Sequence, residues 1–232
     1  MATILVTGAA RGIGQATAEL FLASSHQVIA VDRTWKDSSL ADHAALQRVD
    51  YDLQHIDGIR SMVSELPPVD TLVNNAGVLY VPPHDEFPAA WRKEIIAVNL
   101  EAPVELIESV LPAMKKSGSG RIVNVASVAA FTGHPDLWYG VTKAGILNLT
   151  KAYARFLGPH GVLVNAVAPG PTKTDMYEQL PQSRKDAVMA SVYSGRACLP
   201  SEVAQSIYWL GTDSPAYVNG ATIDVNDGSY PR

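Results

Sequence analysis

Seven short apolar runs punctuate the chain: TILVT (3–7), VIAVD (28–32), LQRVD (46–50), TLVNN (71–75), RIVNVAS (121–127), VLVNAVAP (162–169) and ATIDV (221–225). Their apolar residues stand nearly side by side instead of alternating, the pattern of strands covered on both faces. Between them the period changes. Ile13, Ala16 and Leu20 follow the first run, and Val203, Ile207 and Leu210 precede the last, spaced three and four apart as on one face of a helix. Strands that alternate with helices predict βαβ units, hence an α/β fold with one doubly wound, seven-stranded parallel sheet flanked by helices on both faces. No linker, repeat or low-complexity tract interrupts the pattern, so residues 1–232 are expected to form one domain.

Composition narrows the classes. Hydrophobic residues make up 47% and charged residues 18%, a globular balance. A formal charge of −5 gives no electrostatic reason to expect nucleic acid or an anionic membrane as partner. Cys198 is the one cysteine, so there is no internal disulfide framework, and a cytoplasmic address fits. No signal-type or membrane-spanning apolar stretch appears. The six histidines (26, 43, 55, 84, 134 and 160) are dispersed, and no metal site is expected.

The first run leads directly into TGAARGIG (7–14). Glycines at 8, 12 and 14 allow a sharp strand-to-helix turn and close approach of a phosphate, and the helix beginning near Gly12 aims free amides and its positive end at an anion. The spacing is G-x-x-x-G-x-G, not the usual G-x-G-x-x-G dinucleotide fingerprint. Asp32 closes the second run, eighteen residues past Gly14. A carboxylate there is placed to accept from an adenosine ribose and to repel a 2′-phosphate, which favours NAD. Arg11 and Arg33 keep NADP in play, since either guanidinium could hold a phosphate.

A second pattern carries chemistry. In WYGVTK (138–143), Tyr139 and Lys143 are four apart and share a face of a helix. Ser127 ends the fifth run, at the carboxyl edge where open α/β sheets bind ligands. In their order along the chain, TGAARGIG, Asp32, Asp50 in VDYDL, NNAG (74–77), Asn99 in VNL, Ser127 in NVAS, YGVTK (139–143) and NAVAPGPTKT (165–174) resemble the short-chain dehydrogenase/reductase family over nearly the whole sequence.

The resemblance implies a Rossmann-like domain, with residues 1–115 mainly binding cofactor and 116–232 supplying the catalytic residues and substrate loop. It implies hydride transfer between a nicotinamide and a secondary alcohol or its ketone, with Asn99, Ser127, Tyr139 and Lys143 as the catalytic set. Tyr139 is the implied general acid/base. Bringing a phenol from ~10 toward neutrality takes about 3–4 kcal/mol, and one cation a few ångströms away supplies on the order of 4 kcal/mol at an effective dielectric near 20. Lys143 is the implied cation and also holds the nicotinamide ribose. Ser127 polarises the substrate oxygen, and Asn99, expected within a continuous helix, positions a relay water. Cofactor contacts carry over to Gly8, Arg11, Gly12, Ile13, Gly14, Asp32, Asp50, Tyr51, Asn74, Ala76, Gly77, Tyr139, Lys143, Pro169, Gly170, Thr172 and Thr174. Asn75 joins this set, although an asparagine there also reads as a partner for backbone groups. A homotetramer is the implied assembly. The family often has a second serine where this chain has Ala126, and two consecutive glycines where its tail reads DVNDG (224–228).

Substrate is less legible. The segments Val128–Trp138 and Asp175–Cys198 are expected to shape the pocket, the second as a short helical lid. Ala129, His134, Trp138, Met176 and Tyr177 are the candidate lining residues. Their aromatic and apolar content suits a cyclic or apolar secondary alcohol or cis-diol, whereas His134 and Asp136 suit a polyol or sugar lactol. Two other readings stand beside the NAD-dependent one: an NADP-dependent carbonyl or 3-oxoacyl reductase, and a nucleotide-sensing binding protein without turnover. Retention of Tyr139, Lys143, Ser127 and Asn99 weighs against the second.

Overall fold

The protein is described here from a computed structural model, covering residues 1–81 and 86–231; His84 lies outside the described residues. Seven strands form one parallel sheet: β1 (Thr3–Thr7), β2 (Gln27–Asp32), β3 (Leu46–Asp50), β4 (Thr71–Asn74), β5 (Gly120–Val125), β6 (Val162–Pro169) and β7 (Thr222–Val225). Their spatial order is β3-β2-β1-β4-β5-β6-β7. β1 pairs with β2 on one side, Thr3 against Gln27, and with β4 on the other, Ile4 against Thr71. Strand order therefore reverses between β1 and β4. Connections leave to opposite faces there and open a crevice at the carboxyl ends.

The helices are α1 (Gly12–Ala23), α2 (Ile59–Ser64), α3 (Ala89–Ile96), α4 (Ala102–Ser117), α5 (Leu137–Leu157), α6 (Asp175–Glu178), α7 (Gln182–Met189) and α8 (Pro200–Gly211). Successive strand residues point to opposite faces, so each strand feeds two cores. Leu5, Ile29, Leu72, Ile122 and Val164 pack with Ile59 of α2, Ile107 and Val110 of α4 and Leu157 of α5. Ile4, Val6, Val28, Val73 and Val123 pack with Phe21 of α1 and Ile207 and Leu210 of α8. This double coverage is why the runs read as continuously apolar. The two edge strands are the exceptions: β3 exposes Gln47 and Arg48, and β7 exposes Asp224.

Two boundaries differ from the sequence expectation. Asn75, Ala126 and Ser127 lie beyond the ends of β4 and β5, in the loops that turn toward the crevice. The helix expected to run through Asn99 is interrupted: Ala97–Glu101 form a wider π turn between α3 and α4. Asparagine is a mediocre helix former, and this turn lets its side chain bond away from its own helix.

Candidate active site

The glycine loop between β1 and α1 is a tight cradle. Gly8 and Gly12 have φ of +64° and +57°, and a Cβ on Gly14 would lie 2.0 Å from Gly8 O. The loop is held from below. Asn75 Nδ2 donates to Thr7 O at 2.9 Å and Gly8 O at 3.1 Å, while Thr7 Oγ1 accepts from the amides of Asn75 and Ala76. Asn75 thus spends its side chain on the backbone beneath the loop. Asn74 is buried, donates to Asn124 Oδ1 at 2.9 Å, and its own Oδ1 has no protein partner. Bare glycine backbone at the start of α1, at the sheet's switch point, fits a dinucleotide pyrophosphate. Gly14→Ala is expected to weaken dinucleotide binding at least about tenfold with the sheet intact, since the methyl must displace Gly8 O; cofactor titration with far-UV circular dichroism checks both.

Asp32 is turned toward the protein. Its Oδ2 accepts from Ala10 N at 3.0 Å, and its Oδ1 from Arg33 N at 2.8 Å and Thr34 N at 3.4 Å. The carboxylate therefore ties the glycine loop to the end of β2, a role independent of any ribose. The nearby guanidiniums already have partners: Arg33 Nη1 is 3.2 Å from Glu94, and Arg11 Nη1 is 3.4 Å from Asp175, with both arginine side chains about half exposed. Asp50 is exposed at the end of β3, whereas Tyr51 is half-buried and its hydroxyl donates to His55 O. Ile13 and Ala76 are half-buried beside the loop.

The second group converges from β5, α5 and the π turn. Ser127 caps a short turn after β5, its Oγ accepting from Ala129 N at 3.1 Å, which leaves the hydroxyl proton free to donate. Tyr139 lies on the first turn of α5, hydrogen-bonded to Ser127. Lys143, one turn on, is 4% exposed and donates from Nζ to Val125 O at 2.7 Å; Nζ is 5.7 Å from the Tyr139 ring centroid. Asn99 is 1% exposed, and its amide is fully engaged. Oδ1 accepts from Val78 N at 2.8 Å, and Nδ2 donates to Val78 O at 2.9 Å and Thr142 Oγ1 at 3.3 Å. Asn99 Oδ1 and Lys143 Nζ both come within 3.5 Å of where a Cβ on Gly77 would sit, so glycine there leaves the space between them open.

The electrostatics depart from the simple expectation. Burial raises the Tyr139 phenol above its ordinary range, the Ser127 hydrogen bond partly offsets this, and the Asp136 carboxylate adds to the rise. Burial lowers Lys143 from 10.5 to about 8. With the lysine directed at Val125 O, the expected lowering of the phenol is not present in this arrangement. The phenol holds its proton at neutral pH, and the ammonium is largely charged there.

The remaining candidates separate. Pro169 is buried at the end of β6 and Gly170 follows it; Thr172 Oγ1 donates to Gly170 O, and Thr174 caps α6 with its methyl 3.1 Å from a Cβ position on Gly12. His134 is half-buried, its ring 5.5 Å from that of Tyr139. Trp138 is covered by Arg92 of α3, while Met176 and Tyr177 are half-buried on α6. Ala129 is 3% exposed and donates its amide to Ser127 Oγ. Three contributors escaped sequence reasoning: Thr7, Thr142 and Arg184. Thr7 and Thr142 had local signals, their places at the head of TGAARGIG and inside WYGVTK, whereas Arg184 had none.

Residues 2–185 match the family model described as short chain dehydrogenase. The chain is 36% identical to a 3-oxoacyl-[acyl-carrier-protein] reductase of Thermotoga maritima, the match covering 97% of this chain and 96% of that one. A solved structure from Beutenbergia cavernae, described as an NAD(P)-dependent gluconate 5-dehydrogenase with NADP bound at low occupancy, superposes with a TM-score of 0.93 at 33% identity, covering 98% of this chain and 96% of that one. An NADP-bound structure from Agrobacterium tumefaciens, described as a 2-deoxy-d-gluconate 3-dehydrogenase, gives 0.91 at 28% identity, covering 100% and 97%. Their bound NADP does not support the NAD preference read from Asp32. Among the described residues no helix is long and apolar enough to cross a membrane.

Proposed function

The chain belongs to the short-chain dehydrogenase family, and from that premise we propose that it reduces the carbonyl of a 3-oxoacyl-type compound to a secondary alcohol with NADPH, through Asn99, Ser127, Tyr139 and Lys143. The observation that carries the reading is the convergence of Ser127, Tyr139 and Lys143 at the carboxyl edge of the sheet, with a phenol that keeps its proton. The acyl class and the cofactor rest on the relatives.

Residues around the glycine loop, with Gly77 and the Pro169–Thr174 segment, would hold the dinucleotide, which supplies the hydride when bound. Ser127, whose Oγ accepts from Ala129 N, has its hydroxyl proton to donate toward the substrate oxygen. Tyr139 gives its proton to that oxygen as negative charge develops there. Lys143 then stabilises the phenolate, because at about 8 its ammonium persists through neutrality. Asn99, clamped to Val78 and Thr142, fixes the π turn beside Lys143 and so the route by which a water returns the proton. A cytoplasmic homotetramer belongs to the same reading, and sedimentation velocity tests the assembly.

A second reading, NAD with a secondary alcohol of the cyclic, cis-diol, polyol or sugar type, is favoured by one observation: the anionic Asp32 at the end of β2. Asp32→Asn keeps an acceptor for Ala10 N and removes the charge. If the carboxylate faces the ribose, the kcat/KM ratio of NADPH to NADH rises at least about tenfold. If it serves the loop alone, both cofactors weaken in parallel. Initial rates with both cofactors on 3-oxoacyl thioesters and on oxo sugar acids decide cofactor and substrate class together.

A further inference from the structure

One ion pair joins the loop before α5 to α7. Asp136 stands at the start of α5, where its carbonyl accepts from Gly140 N at 3.1 Å. Its carboxylate is 4% exposed, so its charge calls for a partner within reach. That partner is Arg184 of α7, whose Nη2 donates to Asp136 Oδ2 at 2.6 Å and lies 3.0 Å from His134 Nε2. The His134 ring bridges the pair: Nε2 faces the guanidinium, and Nδ1 lies 3.2 Å from Asp136 N and 3.5 Å from the same carboxylate oxygen.

α7 has little else to hold it. None of its residues is buried. Its other side-chain bonds stay nearby: Lys185 reaches Glu178 of α6, and Gln182 reaches Asp186 within α7. Among the described residues, Arg184 supplies the side-chain hydrogen bonds that carry α7 out of the 175–198 segment. We infer that Arg184 is a positioning residue: by pairing with buried Asp136 it clasps α7 onto the first turn of the helix that carries Tyr139, and so holds the substrate loop closed over the phenol. The kinetic part rests on the reaction proposed above, whereas the clasp itself does not.

The clasp also sets the charge around the phenol. Asp136 and His134 face it from the loop after β5, Lys143 from α5, and Arg184 stands behind Asp136 from α7. Without Arg184, the uncompensated carboxylate opposes phenolate formation, so the alkaline limb of the reduction profile moves up. With Asp136→Asn it moves down.

Arg184→Met, Arg184→Lys and the double variant Asp136→Asn/Arg184→Met, each in the full chain, test the inference by amide hydrogen exchange and steady-state kinetics. In Arg184→Met, amides of α7 should exchange at least about tenfold faster while those of α8 are unchanged. KM for the carbonyl substrate should rise at least about tenfold, kcat should fall less, and cofactor affinity should hold. Lysine should restore part of the loss. The double variant carries no unpaired buried charge and should fold like the parent, yet keep fast exchange and high KM. Parental exchange and KM in the double variant would show that the pair merely neutralises a buried charge, and the inference would fall. It would fall equally if Arg184→Met left α7 exchange unchanged, or sped exchange without moving KM. A parent protein that turns over no carbonyl compound would remove the proposed function, while the exchange measurement would still decide the clasp.

Discussion

Tyr139→Phe is expected to lower turnover by about 10²–10⁴-fold while leaving fold and cofactor affinity near parental values. The change deletes one hydroxyl from a ring already braced by the first turn of α5 and by His134. What is lost is the proton donor to the substrate oxygen and the hydrogen bond to Ser127. Ser127 keeps its bond from Ala129 N, so the second half of the oxygen site stays in place. Rates measured alongside a fluorescence titration of the reduced cofactor separate the two outcomes. A fall confined to KM would assign the phenol to binding rather than proton transfer.

Lys143→Met is expected to remove activity at least about 10²-fold and yet make the protein more stable at neutral pH. Burial displaces this lysine from 10.5 to about 8, which corresponds to about 3 kcal/mol held against the folded state at pH 7. The sign follows from proton counting. Between about 8 and 10.5 the unfolded chain binds the proton that the folded chain has released, so the parent gains stability as pH rises through that window. Below it the penalty is fully present. Methionine fills similar space without a charge but leaves Val125 O without its donor, which returns about 1 kcal/mol. A net gain of about 2 kcal/mol at pH 7, shrinking toward pH 10, is therefore the expected result in urea titrations. Equal stability of the two proteins across that range would mean that Lys143 binds its proton as tightly folded as unfolded, with no penalty from burial.

Features governed by near neighbours were legible in the sequence. The glycine loop could be placed because positive φ at Gly8 and Gly12 and the contact of Gly14 with Gly8 O exclude a side chain. The central strands could be placed because both their faces are covered, and Tyr139 and Lys143 because four residues make one helical turn. Features set by distant partners were not legible. Lys143 finds its acceptor eighteen residues upstream at Val125, and Arg184 finds Asp136 forty-eight residues away. Asn99 reads as one more helical position, but the wide turn around it lets it reach Val78 and Thr142. Asp32 shows the limit most clearly. The sequence places a carboxylate at the end of β2, but its role depends on where its oxygens point, and they point at Ala10, Arg33 and Thr34.

In the proposed reaction a protonated Tyr139 delivers its proton to a carbonyl reduced by the nicotinamide. The most direct measurement is stopped-flow oxidation of NADPH and NADH by the purified protein mixed with a 3-oxoacyl thioester, parent against Tyr139→Phe. Oxidation is expected in the parent, with a loss of about 10²–10⁴-fold in the variant and cofactor binding intact. Equal rates in the two proteins would overturn Tyr139 as the proton donor.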